Sequence, residues 1–273
     1  MSAMFQSCKD LENLDLKKFK MEKVENMSHK FGGCGKLETS DLSSFNTENV
    51  TDMKEIFYDC EKLEAIDLSK FNTKNVKDMS CMFSGCKILK SIDGLLHFET
   101  SKVENMTAMF QSCEKLENLD LTKFKTVNVK NMSYMFNNCI KLKKIIFSSS
   151  LDTKKVTNME KMFGGSEELE NIINLSRFII KIVTDKKWMF AQCKKLNNID
   201  LSSFDINEKI IIFSDSDFDC IRKIFHNLTN MSFMFFGCEK LTNVIIKENT
   251  HKFLEEKGIL KDIFPNQVKI TTK

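Results

Sequence analysis

The chain has 273 residues, 42% of them apolar and 29% charged, the balance of an ordinary folded protein. Its 41 basic and 38 acidic residues leave a net charge of +3, which gives no electrostatic reason for a nucleic-acid partner. No stretch approaches the ~18 consecutive apolar residues of a membrane helix, so no membrane insertion is expected.

The chain opens with MSAMFQSCKD, which lacks a basic n-region and a long apolar stretch and so does not read as a secretory signal. It also starts in the middle of a repeat. Phe5/Cys8, Phe31/Cys34, Phe57/Cys60, Phe83/Cys86, Phe110/Cys113 and Phe136/Cys139 recur at steps of 26 or 27 residues. Phe163/Ser166 and Phe190/Cys193 continue the series, and Phe235/Cys238 closes it after a longer gap. These nine copies predict an α/β solenoid of about nine 26–27-residue coils over residues 1–246.

The unit reads C-x-x-L-x-x-[LI]-D-L-S-x-F-x-T-x-x-V-x-[ND]-M-x-x-M-F-x-x and is clearest from Cys60 to Gly85. Its L-D-L segment alternates with period two, as in Leu119-Asp120-Leu121, which predicts one short strand per coil and a parallel strand ladder on one side. Val103, Met106, Met109 and Phe110 step by three and four, which predicts a short helical turn on the other side. The aspartates at the strand position, Asp15, Asp41, Asp67, Asp93, Asp120 and Asp200, should face outward as a row. Hydrogen bonds from Ser43, Ser69, Thr122 and Ser202 would offset their repulsion. The alternative is that this row is part of a binding face or binds a cation weakly, and its chemistry changes where Ile146 and Ile173 replace aspartate.

Eight of the ten cysteines share one repeat position, with no C-x-x-C pair, and His29, His97, His226 and His251 fall at unrelated positions. No metal site and no cofactor are therefore expected. Buried free thiols are the favoured reading and disulfides between coils the alternative; Ser166 takes the cysteine slot once. No nucleotide-binding loop or hydrolase motif is present.

The step from Cys193 to Cys238 is 45 residues, so an irregular insertion lies at about 206–227. It reads as a degenerate coil or bulging loop, or else as a binding insertion with Phe213, Phe218 and Ile221 as contacts. Residues 247–273 leave the repeat. Phe253, Leu254, Ile259, Leu260, Ile263 and Phe264 have helical spacing, Pro265 ends the segment, and Val268 and Ile270 suit a last strand. This predicts a C-terminal cap over the open core; Glu255, Glu256 and Asp262 weigh against a membrane-surface helix.

From Met4 to Ile246 the unit resembles the BspA-like leucine-rich repeats of bacterial and protist surface proteins. It is also similar to a repeat of unknown function common in low-GC bacteria and mycoplasmas. The resemblance implies a leucine-rich-repeat solenoid, displayed at the cell surface and tied to adhesion or host-protein binding, with no catalytic residues. The expected role is thus a non-enzymatic, monomeric protein- or glycan-binding repeat protein, at the cell surface or secreted. The alternative is an intracellular, cytoplasmic interaction scaffold or effector with the same fold.

Overall fold

The computed structural model describes residues 2–14, 23–40, 42, 45–204, 210–211, 229–231 and 233–273. A unit of 26 residues cannot enclose its own apolar side chains; they become buried only against the same side chains of the next unit. The chain accordingly winds into a β-solenoid of about seven turns, with parallel strands and few helices. The turns are marked by one column of parallel bridges linking Asn26, Asp52, Asp78, Asn105, Asn131, Asn158 and Asp185 in succession.

The strands are short: β1 (Asn13–Leu14), β2 (Thr39–Ser40), β3 (Ala65–Asp67), β4 (Ser91–Asp93), β5 (Asn118–Leu121), β6 (Lys144–Phe147), β7 (Asn171–Ile173), β8 (Asn198–Asp200), β9 (Ile210–Ile211), β10 (Thr229–Asn230), β11 (Asn243–Ile246) and β12 (Lys269–Thr272). All pairings are parallel, in the groups β1-β2, β3-β4, β5-β6-β7, β9-β10 and β8-β11-β12. Period-two alternation fixes the faces. Leu119 and Leu121 of β5 are buried, while Asn118 and Asp120 between them are exposed.

The side opposite the strands departs from expectation. The M-x-x-M-F segment forms no helix; it is a ribbon of hydrogen-bonded turns. From Met53 to Cys60, alternate amides point along and across the stack. Met53, Glu55, Phe57 and Asp59 donate to the carbonyls of Asp78, Ser80, Met82 and Ser84 in the next coil, at 2.8–3.0 Å. Ile56, Tyr58 and Cys60 donate back to Met53, Glu55 and Phe57 in their own coil, at 3.2–3.4 Å. The reason is conformational: Glu55 (φ 55°) and Asp59 (φ 52°) are left-handed, and the same two columns are left-handed in coil after coil. A right-handed helix cannot pass through such residues. The exchange of bonds between coils satisfies amides that a single helical turn would leave bare.

Between ribbon and strands lies one continuous core. Phenylalanine rings stack face to face along the axis, Phe57 on Phe83 at 5.7 Å, Phe83 on Phe110 at 5.7 Å and Phe136 on Phe163 at 5.5 Å. The cysteine column lies beside them as free thiols. From Cys34 onward each thiol of the column donates to a phenylalanine carbonyl of the preceding coil, Cys60 Sγ to Phe31 O at 3.3 Å and Cys86 Sγ to Phe57 O at 3.1 Å. Ser166 fits the same slot because its Oγ makes the same bond, to Phe136 O at 2.8 Å. A buried threonine column repeats the device: Thr47 Oγ1 donates to Asn72 O and accepts from Asn72 N–H.

At the far end, α1 (Glu248–Glu256) and α2 (Leu260–Ile263) precede β12, which pairs with β11. Leu254, Ile263 and Phe264 are buried, and Phe264 stacks on Phe235 at 5.6 Å, at the end of the ring row.

Candidate functional site

A regular core leaves chemistry to the outward columns, and two faces carry them. On the strand face, Asp67 lies opposite Asp93, Asp120 opposite Ile146, and Ile146 opposite Ile173; Asp200 lies opposite Ile245. The acidic row is therefore broken by an apolar stretch in which Ile173 is 41% exposed. Asp67, Asp120 and Asp200 each accept the backbone N–H two residues on, from Ser69, Thr122 and Ser202, at 2.8–2.9 Å. The Ser69 hydrogen bonds stabilise the ionised Asp67 carboxyl and hold it below its usual value, which offsets the cost of keeping its charge in the row. Asp15 and Asp41 lie outside the described residues, as do Phe213, Phe218 and Ile221 of the insertion.

Asp93 differs. The next residue, Gly94 (φ 91°), is an extra one that starts the 3-10 turn Leu95–His97. A Cβ there would sit 2.5 Å from the Ser69 nitrogen, so only glycine fits. Beside this turn Asp93, Asn118 and Asp120 border a groove of about 350 Å³. Asn174 (φ 67°) starts the matching turn Leu175–Arg177 further along.

On the turn face the first left-handed column reads, after Ala3, His29, Glu55, Cys81, Ala108, Tyr134, Lys161, Trp188 and Phe233. Its first half is polar. His29 Nδ1 lies 2.9 Å from a Glu55 carboxyl oxygen, and burial, with Glu55 beside it, pushes the Cys81 thiol to about 11. Its second half is aromatic and cationic. Trp188 packs on Phe233 at 5.0 Å and on Phe236 at 5.7 Å, and the Lys161 ammonium lies 5.7 Å from the ring centres of both Tyr134 and Trp188.

Sequence reading missed this cluster, because the spacing of 26–27 residues that aligns Tyr134, Lys161 and Trp188 was used for the core columns alone. The second left-handed column did carry a signal, in Gly33, Asp59, Gly85, Asn138, Gly165 and Gly237, residue types that tolerate that conformation. Among the described residues no group of three or more His, Cys, Asp or Glu could hold a metal ion. Among the same residues no helix is long and apolar enough to cross a membrane.

Comparison with known proteins adds the following. No curated protein matches the chain. Among solved structures it is similar to a leucine-rich cell surface protein of Faecalibacterium prausnitzii A2-165, with 18% identity and a TM-score of 0.35, over 89% of this chain and 69% of that one. It is also similar to the pneumococcal vaccine antigen PcpA, with 13% identity and a TM-score of 0.27, over 88% of this chain and 78% of that one. These likenesses are weak, and the solenoid description stands on the coil geometry. The family described as Mycoplasma protein of unknown function, DUF285, matches residues 1–119, 90–148 and 105–216. That match spans most of the sequence, and the chain belongs to this family of repeat proteins.

Proposed function

We propose that the chain is a non-enzymatic binding module of the cell surface, presenting its strand and turn faces to a protein or glycan ligand. The observation that carries this reading is the contrast between columns. The buried positions repeat Leu, Phe, Val, Met and Cys from coil to coil, whereas the outward ones change chemistry midway along both faces. A scaffold held constant inside and varied outside is suited to recognition. On this reading the array counts nine coils, supported by the ring row that runs from Phe5 on Phe31 to Phe235 on Phe190. Residues 247–273 serve as its cap, the acidic row Asp67, Asp93 and Asp120 forms part of the binding face, and the protein acts as a monomer. The surface location is carried over from the resemblance of the repeat to BspA-like proteins.

Protease treatment of intact source cells, read with a chain-specific antibody, tests the location. Removal of the chain while a cytosolic marker persists is the expected result. Survival of the chain until lysis would overturn it and favour the second reading, an intracellular scaffold, which the free buried thiols support.

A further inference from the structure

We infer that the turn face holds a saccharide-binding notch between Tyr134 and Phe236, and that it favours a sugar bearing a carboxylate. The inference rests on the binding-module reading and names the site and ligand class within it. Two glycines line the notch. Where the preceding coil places Asn137 and Asn138, and the following one Ala191 and Gln192, the coil between has Gly164 and Gly165. The gap is about 220 Å³, walled by Trp188 and Lys161 on one side and by amide side chains on the others. Phe233 and Phe236, 42% and 52% exposed, extend the aromatic wall along the axis.

Two features set this arrangement apart. Tyr134, Trp188 and Phe233 share their left-handed column with Ala3, Glu55, Cys81 and Ala108 of other coils, so the backbone does not call for rings at these positions. The Trp188 indole Nε1–H is buried without a hydrogen-bond acceptor among the described residues of the chain, which costs stability.

The chemistry selects the ligand. A pyranose presents apolar C–H faces to flat rings and hydroxyls to amides, and the notch offers both, with Asn138 and Gln192 at its edges. Lys161 is the one charged residue in the lining. Its ammonium is held between two rings and has no carboxylate partner among the described residues. A sugar carboxylate would complete it with a charge-assisted hydrogen bond.

Trp188 is the only tryptophan in the chain, so its fluorescence reports on the notch alone. The test is a titration of the full chain with hyaluronan tetrasaccharide, which carries glucuronate, and with neutral maltotetraose. A saturable change in emission with the acidic sugar is expected, weakened about tenfold or more in Lys161→Gln and in Phe236→Ser. Both variants alter exposed or half-exposed side chains, and an unchanged melting temperature checks their folding. An equal response to both sugars would overturn the carboxylate preference. No saturable response to either, or one unaltered in both variants, would overturn the site. If the chain still binds immobilised proteins in that case, the saccharide assignment alone has failed; if it binds neither, the binding-module reading fails with it.

Discussion

Single residues carry much of the discipline of this fold. The phenylalanine carbonyl beside each cysteine takes two donors: Phe136 O accepts the Cys139 N–H in its own coil and the Ser166 hydroxyl of the next. Ser166→Cys should therefore be nearly neutral, whereas Ser166→Ala should lose about 1 kcal/mol, measured by urea unfolding. Among the described residues Lys186 is one of two lysines buried in the interior, with Lys30. It occupies the slot that Met27, Met53 and Met159 fill in other coils, is almost wholly buried, and donates to the Val183 carbonyl. Burial lowers its amine to about 7, against ~10.4 in an unfolded chain. Between those pH values the unfolded chain holds a proton that the folded chain lacks, so stability rises with pH from ~7 to ~10. The cost is fully present below pH 7. Lys186→Met should raise stability at neutral pH by on the order of 3 kcal/mol and flatten that rise. Denaturant midpoints at pH 7 and pH 9 decide it, and an unchanged pH slope in the variant would refute the account.

At the scale of elements, the ribbon of turns depends on its left-handed columns and on how neighbouring coils share space there. A Cβ on Gly85 (φ 80°) would lie 1.9 Å from Asp59 Oδ1, and one on Gly165 would lie 2.1 Å from Asn138 Oδ1. Glycine in one coil makes room for the longer side chain in the coil before it. Gly85→Ala should destabilise by about 1–2 kcal/mol, and adding Asp59→Gly should recover the part due to crowding, leaving the cost of the backbone conformation. Thermal melts of the two single variants and the double variant measure this coupling. The strands were legible in the sequence because Leu119-Asp120-Leu121 alternates with the period of a strand. The ribbon was not, because Met106, Met109 and Phe110 are spaced alike in a helical turn and in a turn whose alternate amides bond to the next coil. Only backbone handedness separates the two, and apart from the Gly/Asn/Asp column it leaves no trace in side-chain pattern. The aromatic notch escaped for a related reason: Tyr134, Lys161, Trp188 and Phe233 share one column but not one chemistry.

At the scale of the whole molecule, the strand pairings and bridges of the described residues join adjacent coils, so stability should be a sum of coil and interface contributions. Exposed ion pairs between successive coils, such as Lys74–Glu48 and Lys130–Glu104, add little to that sum. The ring row and the hydrogen-bond ladders dominate it, and Phe110→Ala should cost ~3–5 kcal/mol. Truncation after Lys247 removes Phe264 from Phe235 and β12 from β11. The coil closing on Cys238 should then exchange its amide hydrogens faster, while coils between residues 50 and 163 keep their protection. Uniform loss of protection along the chain would contradict that picture.

The central claim is that the outward columns recognise a ligand while the inward ones only build the scaffold. The most direct measurement is binding of the purified chain to printed extracellular proteins and glycans. Wild type is compared with a strand-face variant, Asp93→Asn with Asp120→Asn, and a turn-face variant, Lys161→Gln with Phe236→Ser. The account predicts at least one saturable ligand whose affinity falls in one face variant and holds in the other, at equal melting temperature. Absence of saturable binding to any probe, or binding indifferent to both faces, would contradict it.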